Sequence, residues 1–161
     1  LKLMIMETLA ENTNWLIAAE VELVYRHNVK PSLRPQISSP GQAAAILKNT
    51  WDESKLEFTE QFKVMLLSRS FKVLGILELS SGGTISTVVD QKLIYIAALK
   101  ANAHAIILAH NHPSGNLKPS EQDEKLTRTI VSGCRTLGID VEDHIIITEE
   151  SYFSFTENGL I

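Results

Sequence analysis

Two histidines stand two residues apart, His110 and His112, and a carboxylate, Asp123, follows across one loop. Ring nitrogens with a carboxylate oxygen are the donor set of a divalent transition-metal site. Side chains two apart on an extended chain point to the same side, so the two imidazoles converge if the chain reaches them as a strand. A helix would separate them. At about 100° per residue, Asp123 falls within about 60° of Leu126, Ile130, Cys134 and Leu137, the apolar stripe of a helix starting at Ser120. It therefore faces inward, where a lone carboxylate is costly without a positive partner. Neutral imidazoles supply none, and a divalent cation does. Two nitrogens and one oxygen leave a fourth tetrahedral position open, as in catalytic zinc sites, whereas structural zinc is closed by four protein ligands.

Each part has a plainer reading alone. Ser120-x-x-Asp123 is also a capping-box-like pattern, with an acid in the first helical turn where the macrodipole favours it. A His-x-His pair in a loop is common without any metal. The conjunction of the pair with an inward carboxylate carries the metal reading.

The elements that must position these residues follow from periodicity. Ala105-Ile106-Ile107-Leu108-Ala109 is a short continuous apolar run, read as a strand buried on both faces and ending at the histidines. A loop with Pro113, Gly115 and Pro119 leads to a helix over 120–137, then a strand over 141–148 and a last short strand over 152–155. Upstream, 62–67 and 72–79 read as a hairpin, and Asp90 caps a helix running to about residue 101. Ser38-Ser39-Pro40 offers an N-cap and first-turn proline for a helix over 43–51. Val21, Leu23 and Tyr25 share one face of a strand over 20–26; residues 31–35 read as a linker, and Gly82-Gly83 breaks the pattern. Helices alternating with mixed strands give a layered α/β (α+β) domain. Residues 1–35 form an N-terminal strand and linker segment, and 36–161 the domain.

The 161 residues are 44% hydrophobic, enough for one core. A net charge of −4 and the absence of an evident basic cluster argue against a nucleic-acid partner. Cys134, the single cysteine, cannot form an internal disulfide and reads as a packed thiol in a reducing compartment. No run approaches the roughly 18 apolar residues of a membrane span, so a soluble, cytoplasmic protein without a membrane partner is expected. The chain opens on Leu1, as a processed or shortened chain would.

His110-x-His112, seven residues, Ser120, two residues, Asp123 resembles the core motif of the JAMM (MPN+) metalloproteases. Ile106-Ile107-Leu108-Ala109-His110-Asn111-His112-Pro113-Ser114-Gly115-Asn116, with Asp143-His144-Ile145-Ile146-Ile147 and Phe62-Lys63-Val64-Met65-Leu66-Leu67, is similar to the C-terminal domain of RadC proteins in particular. The resemblance runs from about residue 57 to 161. It implies a three-layer cytidine-deaminase-like fold, Zn(2+) on His110, His112 and Asp123, and a metal-activated water attacking a peptide or isopeptide carbonyl. Asn111 replaces the serine or threonine common in eukaryotic relatives. Full-length members usually carry an upstream helix-hairpin-helix module, which this sequence does not show, so the family's DNA-repair association transfers only weakly.

The resemblance also implies a glutamate general base at the matching Glu60. In an extended stretch Glu60 shares a face with Phe62, Val64 and Leu66 and points to the core. Its rivals are Glu53, Glu57 and Glu78. Ser120 would donate a hydrogen bond to the developing oxyanion as well as cap its helix. His144 reads as a packed histidine rather than a support for the site, and His27 and His104 as incidental. The leading function is thus a zinc metallohydrolase acting on a peptide or isopeptide-linked protein. A metal-dependent enzyme acting on nucleic acid and a non-catalytic interaction module with a vestigial site are the alternatives. A zinc nucleobase deaminase is excluded, because its P-C-x-x-C motif needs two cysteines.

Overall fold

The protein is described from a computed structural model over residues 29–81 and 89–161. The strand expected over 20–26, His27 and the Gly82-Gly83 break lie outside the described residues.

Among the described residues five strands form one open mixed sheet: β1 (Gln61–Leu67), β2 (Val73–Ser81), β3 (Ala105–Asn111), β4 (Asp140–Ile147) and β5 (Tyr152–Ser154), in the order β2-β1-β3-β4-β5. β1 is antiparallel to both β2 and β3, β3 and β4 run parallel, and β5 returns antiparallel on β4. The helices are α1 (Pro40–Lys48), the single turn α2 (Glu53–Leu56), α3 (Gln91–Lys100) and α4 (Glu121–Thr136). The expected α/β class with helices flanking a mixed sheet is what forms.

Two cores lie on the two faces of the sheet, giving three layers. Met65, Leu67, Ile107, Ala109, Ile145 and Ile147 pack with Ala43, Ala44 and Leu47 of α1 on one face. Val64, Leu66, Ile106 and Leu108 pack with Ile94 and Ala98 of α3 and Ile130 and Cys134 of α4 on the other. Each fully buried Leu or Ile contributes about 2 kcal/mol. With helices on both faces every residue of β3 is buried, which is why its sequence is continuously apolar rather than alternating.

Strand alternation then decides where the polar end of β3 goes. Ile106 and Leu108 face α3 and α4, so His110 continues on that side, whereas Asn111 falls on the α1 side. The parallel β3–β4 crossover is α4, which returns from the end of β3 where the histidines emerge.

Local signals set most boundaries. Ser39 caps α1 by accepting from Gln42 N at 3.3 Å with Pro40 in the first turn, so α1 starts three residues before the expected 43 and stops before 51. Asp90 caps α3 as expected. The hairpin closes through Ser68 N to Lys72 O at 2.9 Å, with Phe71 at φ 58. Two expectations change. Residues 31–35 are not a plain linker: Pro31–Leu33 is a 3-10 turn, and the chain then pairs beside the start of β2 through Val73 N to Pro35 O and Ile37 N to Phe71 O, both 2.9 Å. Leu137 ends up 40% exposed, because α4 stops at Thr136 and the chain turns through Gly138 at φ 69.

Candidate metal centre

His110 is the penultimate residue of the buried strand β3, and its ring stacks on Phe62 of β1 at 6.2 Å between centroids. His112 follows the strand; its backbone N–H still bonds Ile147 O, and Gly115 at φ 75 lets the chain turn back so that Gly115 N reaches His112 O at 3.0 Å. The loop delivers the chain to Ser120, the N-cap of α4. The capping box is complete: Asp123 N donates to Ser120 Oγ at 3.1 Å, and Ser120 N donates to Asp123 Oδ2 at 2.7 Å. The Ser120 hydroxyl also donates to Asp123 Oδ2, at 2.6 Å. Capping and an inward carboxylate are therefore one arrangement, and Ser120 holds Asp123 in its rotamer.

The three sequence-predicted ligand residues meet. His110 Nε2 lies 2.9 Å from His112 Nε2 and 3.3 Å from Asp123 Oδ1, and His112 Nε2 lies 3.8 Å from Asp123 Oδ2. Donors about 2.0–2.2 Å from a tetrahedral zinc stand about 3.3 Å from one another. The three separations bracket that value. The His110 side chain is 3% exposed, and those of His112 and Asp123 are 15% and 14%, so the cluster is largely buried and reaches solvent on the side of His112 and Asp123.

The hydrogen bonding of His112 suits a cation. Its Nδ1 lies 2.5 Å from Asn116 O, a carbonyl that can only accept, so the neutral ring carries its hydrogen on Nδ1 and presents a bare Nε2 to His110 and Asp123. Burial lowers the His112 pKa, but hydrogen bonds to Asp123 and Asn116 and the Asp123 and Glu60 charges outweigh it and raise the net value. Burial likewise pulls the Asp123 carboxyl upward, and the His110 and His112 rings beside it, with the Ser120 hydroxyl, overcome it and hold the group far below the usual carboxylate range. The site favours an ionised carboxylate and a positive species beside it, and the residues fit a divalent metal.

Glu60, just before β1, is brought to the same place. Its carboxylate and ring nitrogens of His110 and His112 all lie within 4.8 Å of one another. The rivals are elsewhere. Glu78 sits on the α1 side of the sheet, where Lys63 reaches it at 3.3 Å and Gln61 Nε2 donates to it at 2.9 Å. Glu53 lies exposed in α2; Glu57 is exposed too and lines a neighbouring groove of about 270 Å³ that shares His112, Pro113 and Ser114 with the groove of Glu60 but contains neither Ser120 nor Glu60. Glu60 shares a second groove, of about 440 Å³, with His112, Ser114, Lys118 and Ser120.

Sequence reasoning missed three supports. Asn111 is fully buried: its Oδ1 accepts from Gln61 N at 2.7 Å and Trp51 Nε1 at 3.3 Å, and its Nδ2 donates to Leu56 O at 2.7 Å and Thr59 O at 2.9 Å. Thr127, one turn after Asp123, is 1% exposed and donates to Asp123 O at 2.6 Å. The reading of His144 as merely packed is corrected. It is fully buried, with Nε2 2.8 Å from His110 Nδ1 and Nδ1 2.6 Å from Thr127 Oγ1. Burial, with His110 beside it, pushes its pKa well below the ordinary value. The one sequence signal was the i to i+4 spacing of Asp123 and Thr127; His144 is placed by the β3–β4 register, opposite Leu108 and two residues from His110 on the same face. His104 is incidental as expected, at the surface 3.9 Å from Asp140.

A mixed sheet with a His, His and carboxylate cluster at the mouth of its central strand defines an α/β protein with a candidate metal centre. A family model described as a RadC-like JAB domain matches residues 37–160, and the chain belongs to that family. Similar curated proteins are a UPF0758 protein of Flavobacterium johnsoniae, 37% identical over 89% of this chain and 62% of its own length, and one of Desulfitobacterium hafniense, 39% identical over 81% and 56%. Another, of Porphyromonas gingivalis, is 45% identical over 63% of this chain and 45% of its own length. The chain thus spans about half to three-fifths of these relatives. No helix among the described residues is long and apolar enough to cross a membrane.

Proposed function

We propose that the protein is a zinc-dependent metallohydrolase cleaving a peptide or isopeptide bond. The observation that carries this reading is the convergence of His110 Nε2, His112 Nε2 and the Asp123 carboxylate at 2.9, 3.3 and 3.8 Å, with one side open to a groove containing Glu60 and Ser120. His110, His112 and Asp123 would hold the ion. Bound zinc would supply Lewis acidity, polarising a carbonyl oxygen and lowering the pKa of water toward about 7.

The remaining work falls to this chain's own residues. Glu60 takes the proton of the attacking water as its oxygen bonds to the carbonyl carbon, and returns it to the leaving nitrogen as the C–N bond breaks. Ser120 donates to the oxyanion, once its hydroxyl turns from Asp123. The substrate is a peptide or isopeptide-linked protein segment lying in the groove beside the His112–Gly115 loop. A cytoplasmic enzyme of this type needs no membrane partner. A DNA-repair role remains the competing reading for the family, and the net charge of −4 gives it no support.

The test compares wild type and Glu60→Gln on peptide, isopeptide and single-stranded and duplex DNA substrates, with metal content measured on the same samples. Wild type should cleave a peptide or isopeptide substrate in a chelator-sensitive way. Glu60→Gln should keep its zinc and lose about 10²- to 10⁴-fold in turnover, the usual contribution of a positioned acid or base. Cleavage confined to DNA, or full turnover in Glu60→Gln, would overturn the proposal.

A further inference from the structure

Beneath the cluster, polar groups run in a closed circuit from the backbone of Asp123 back to its own side chain. Thr127 Oγ1 lies 2.6 Å from Asp123 O. A carbonyl only accepts, so the single hydroxyl hydrogen is committed there. Thr127 Oγ1 is also 2.6 Å from His144 Nδ1 and can now only accept, so His144 carries its hydrogen on Nδ1. The other nitrogen of that neutral ring, Nε2, is then bare. It stands 2.8 Å from His110 Nδ1, which must bear the hydrogen between them. His110 is left with a bare Nε2, 3.3 Å from Asp123 Oδ1.

We infer that His144, directed by Thr127, is a positioning residue that fixes the tautomer and ring orientation of His110, so that His110 Nε2 offers its lone pair to the same point as His112 and Asp123. The inference rests on the reading of those three residues as a metal site. A metal-binding histidine ordinarily donates its second ring hydrogen to a carboxylate, a carbonyl or water, all of them acceptors. Here the acceptor is another imidazole, which can offer either a hydrogen or a lone pair and imposes no direction of its own. Thr127 supplies the direction.

The surroundings keep the relay from being replaced by water. His144 has no exposed surface; it stacks on Phe155 at 4.6 Å and 22° and meets the edge of Phe62 at 5.7 Å. Phe62 also stacks on His110, so both rings of the pair are clamped by one aromatic side chain. The helix that brings Asp123 to the site thereby also sets the ring it must meet.

The experiment measures zinc affinity by competition with a chromogenic chelator. It also reads the hydrogen position on His110 in the metal-free protein at alkaline pH, by long-range nitrogen–proton correlation NMR. His144→Leu removes the acceptor and should weaken zinc binding about 10- to 100-fold, the usual loss when such a partner is removed. His144→Gln can return an oxygen to the Nε2 position and should recover part of that. Thr127→Val, nearly isosteric, should weaken binding about 10-fold and leave His110 as a mixture of tautomers, and Thr127→Ser should restore both. Should His144→Leu fail to fold, the Thr127 pair decides. Wild-type His110 with its hydrogen on Nε2, or unchanged affinity and tautomer in Thr127→Val, overturns the inference. If wild type binds no zinc at all, the metal reading fails, and the His110 hydrogen position still decides whether the relay exists.

Discussion

The side-chain oxygen of Asn111 accepts the backbone N–H of Gln61 at 2.7 Å, so the residue between the two histidines grips the chain immediately after Glu60. Its amide nitrogen holds Thr59 O, immediately before Glu60, at 2.9 Å. One buried amide therefore ties the imidazole-bearing strand to both flanks of the proposed base. Asn111→Asp keeps the acceptor and turns the donor into an oxygen facing the Leu56 and Thr59 carbonyls. Each unpaired buried group costs about 1–3 kcal/mol, so a loss of about 3 kcal/mol is expected by urea unfolding. A substitution within about 0.5 kcal/mol of wild type would show that the clamp contributes nothing.

Ser120 caps α4, and the proposed function gives it a second, separable task at the oxyanion. Ser120→Ala should cost about 1 kcal/mol through the lost cap and, through the lost oxyanion donor, about a hundredfold or more in turnover, with the zinc retained. Thermal melting, metal analysis and kinetics on one preparation separate these effects. A lowered melting temperature with unchanged turnover would reduce Ser120 to a cap and a holder of Asp123.

The convergence of His110, His112 and Asp123 was legible in the sequence because its geometry is local. His110 and His112 share a face by strand alternation, and Asp123 sits at a fixed angle on a helix whose cap is Ser120. Glu60 came from the family resemblance, and the face it shares with Phe62, Val64 and Leu66 agreed with it. The supports were not. Asn111 contacts Trp51, Leu56, Thr59 and Gln61 across the sheet, pairings that depend on β1 lying beside β3, which no periodicity encodes. The one-turn helix α2 is too short to leave a periodic trace. His144 was read as packing because it lies on a strand far along the chain from the histidine pair, and only the parallel β3–β4 register brings it to His110. Residues 31–35 read as a linker because prolines hide the strand-edge pairing they make.

Cys134 lies fully buried on α4 in the core shared with α3, and burial pushes its thiol up to about 11. The thiolate is the reactive form, so raising the pKa removes it from the neutral range and restores it only above about 11. Iodoacetamide near neutral pH should leave the native protein unmodified and label it once in denaturant, as read by intact mass. Rapid stoichiometric labelling of the native protein would contradict a packed, unreactive thiol.

The central claim is that His110, His112 and Asp123 form one metal site, and elemental analysis of zinc-supplemented protein after desalting tests it most directly. Three donors plus one open position specify a single tetrahedral ion, so wild type should carry about one zinc per chain. His112→Ala and Asp123→Ala should each carry almost none while keeping wild-type circular dichroism. Wild type without a divalent metal, or both variants at full occupancy, would contradict the account.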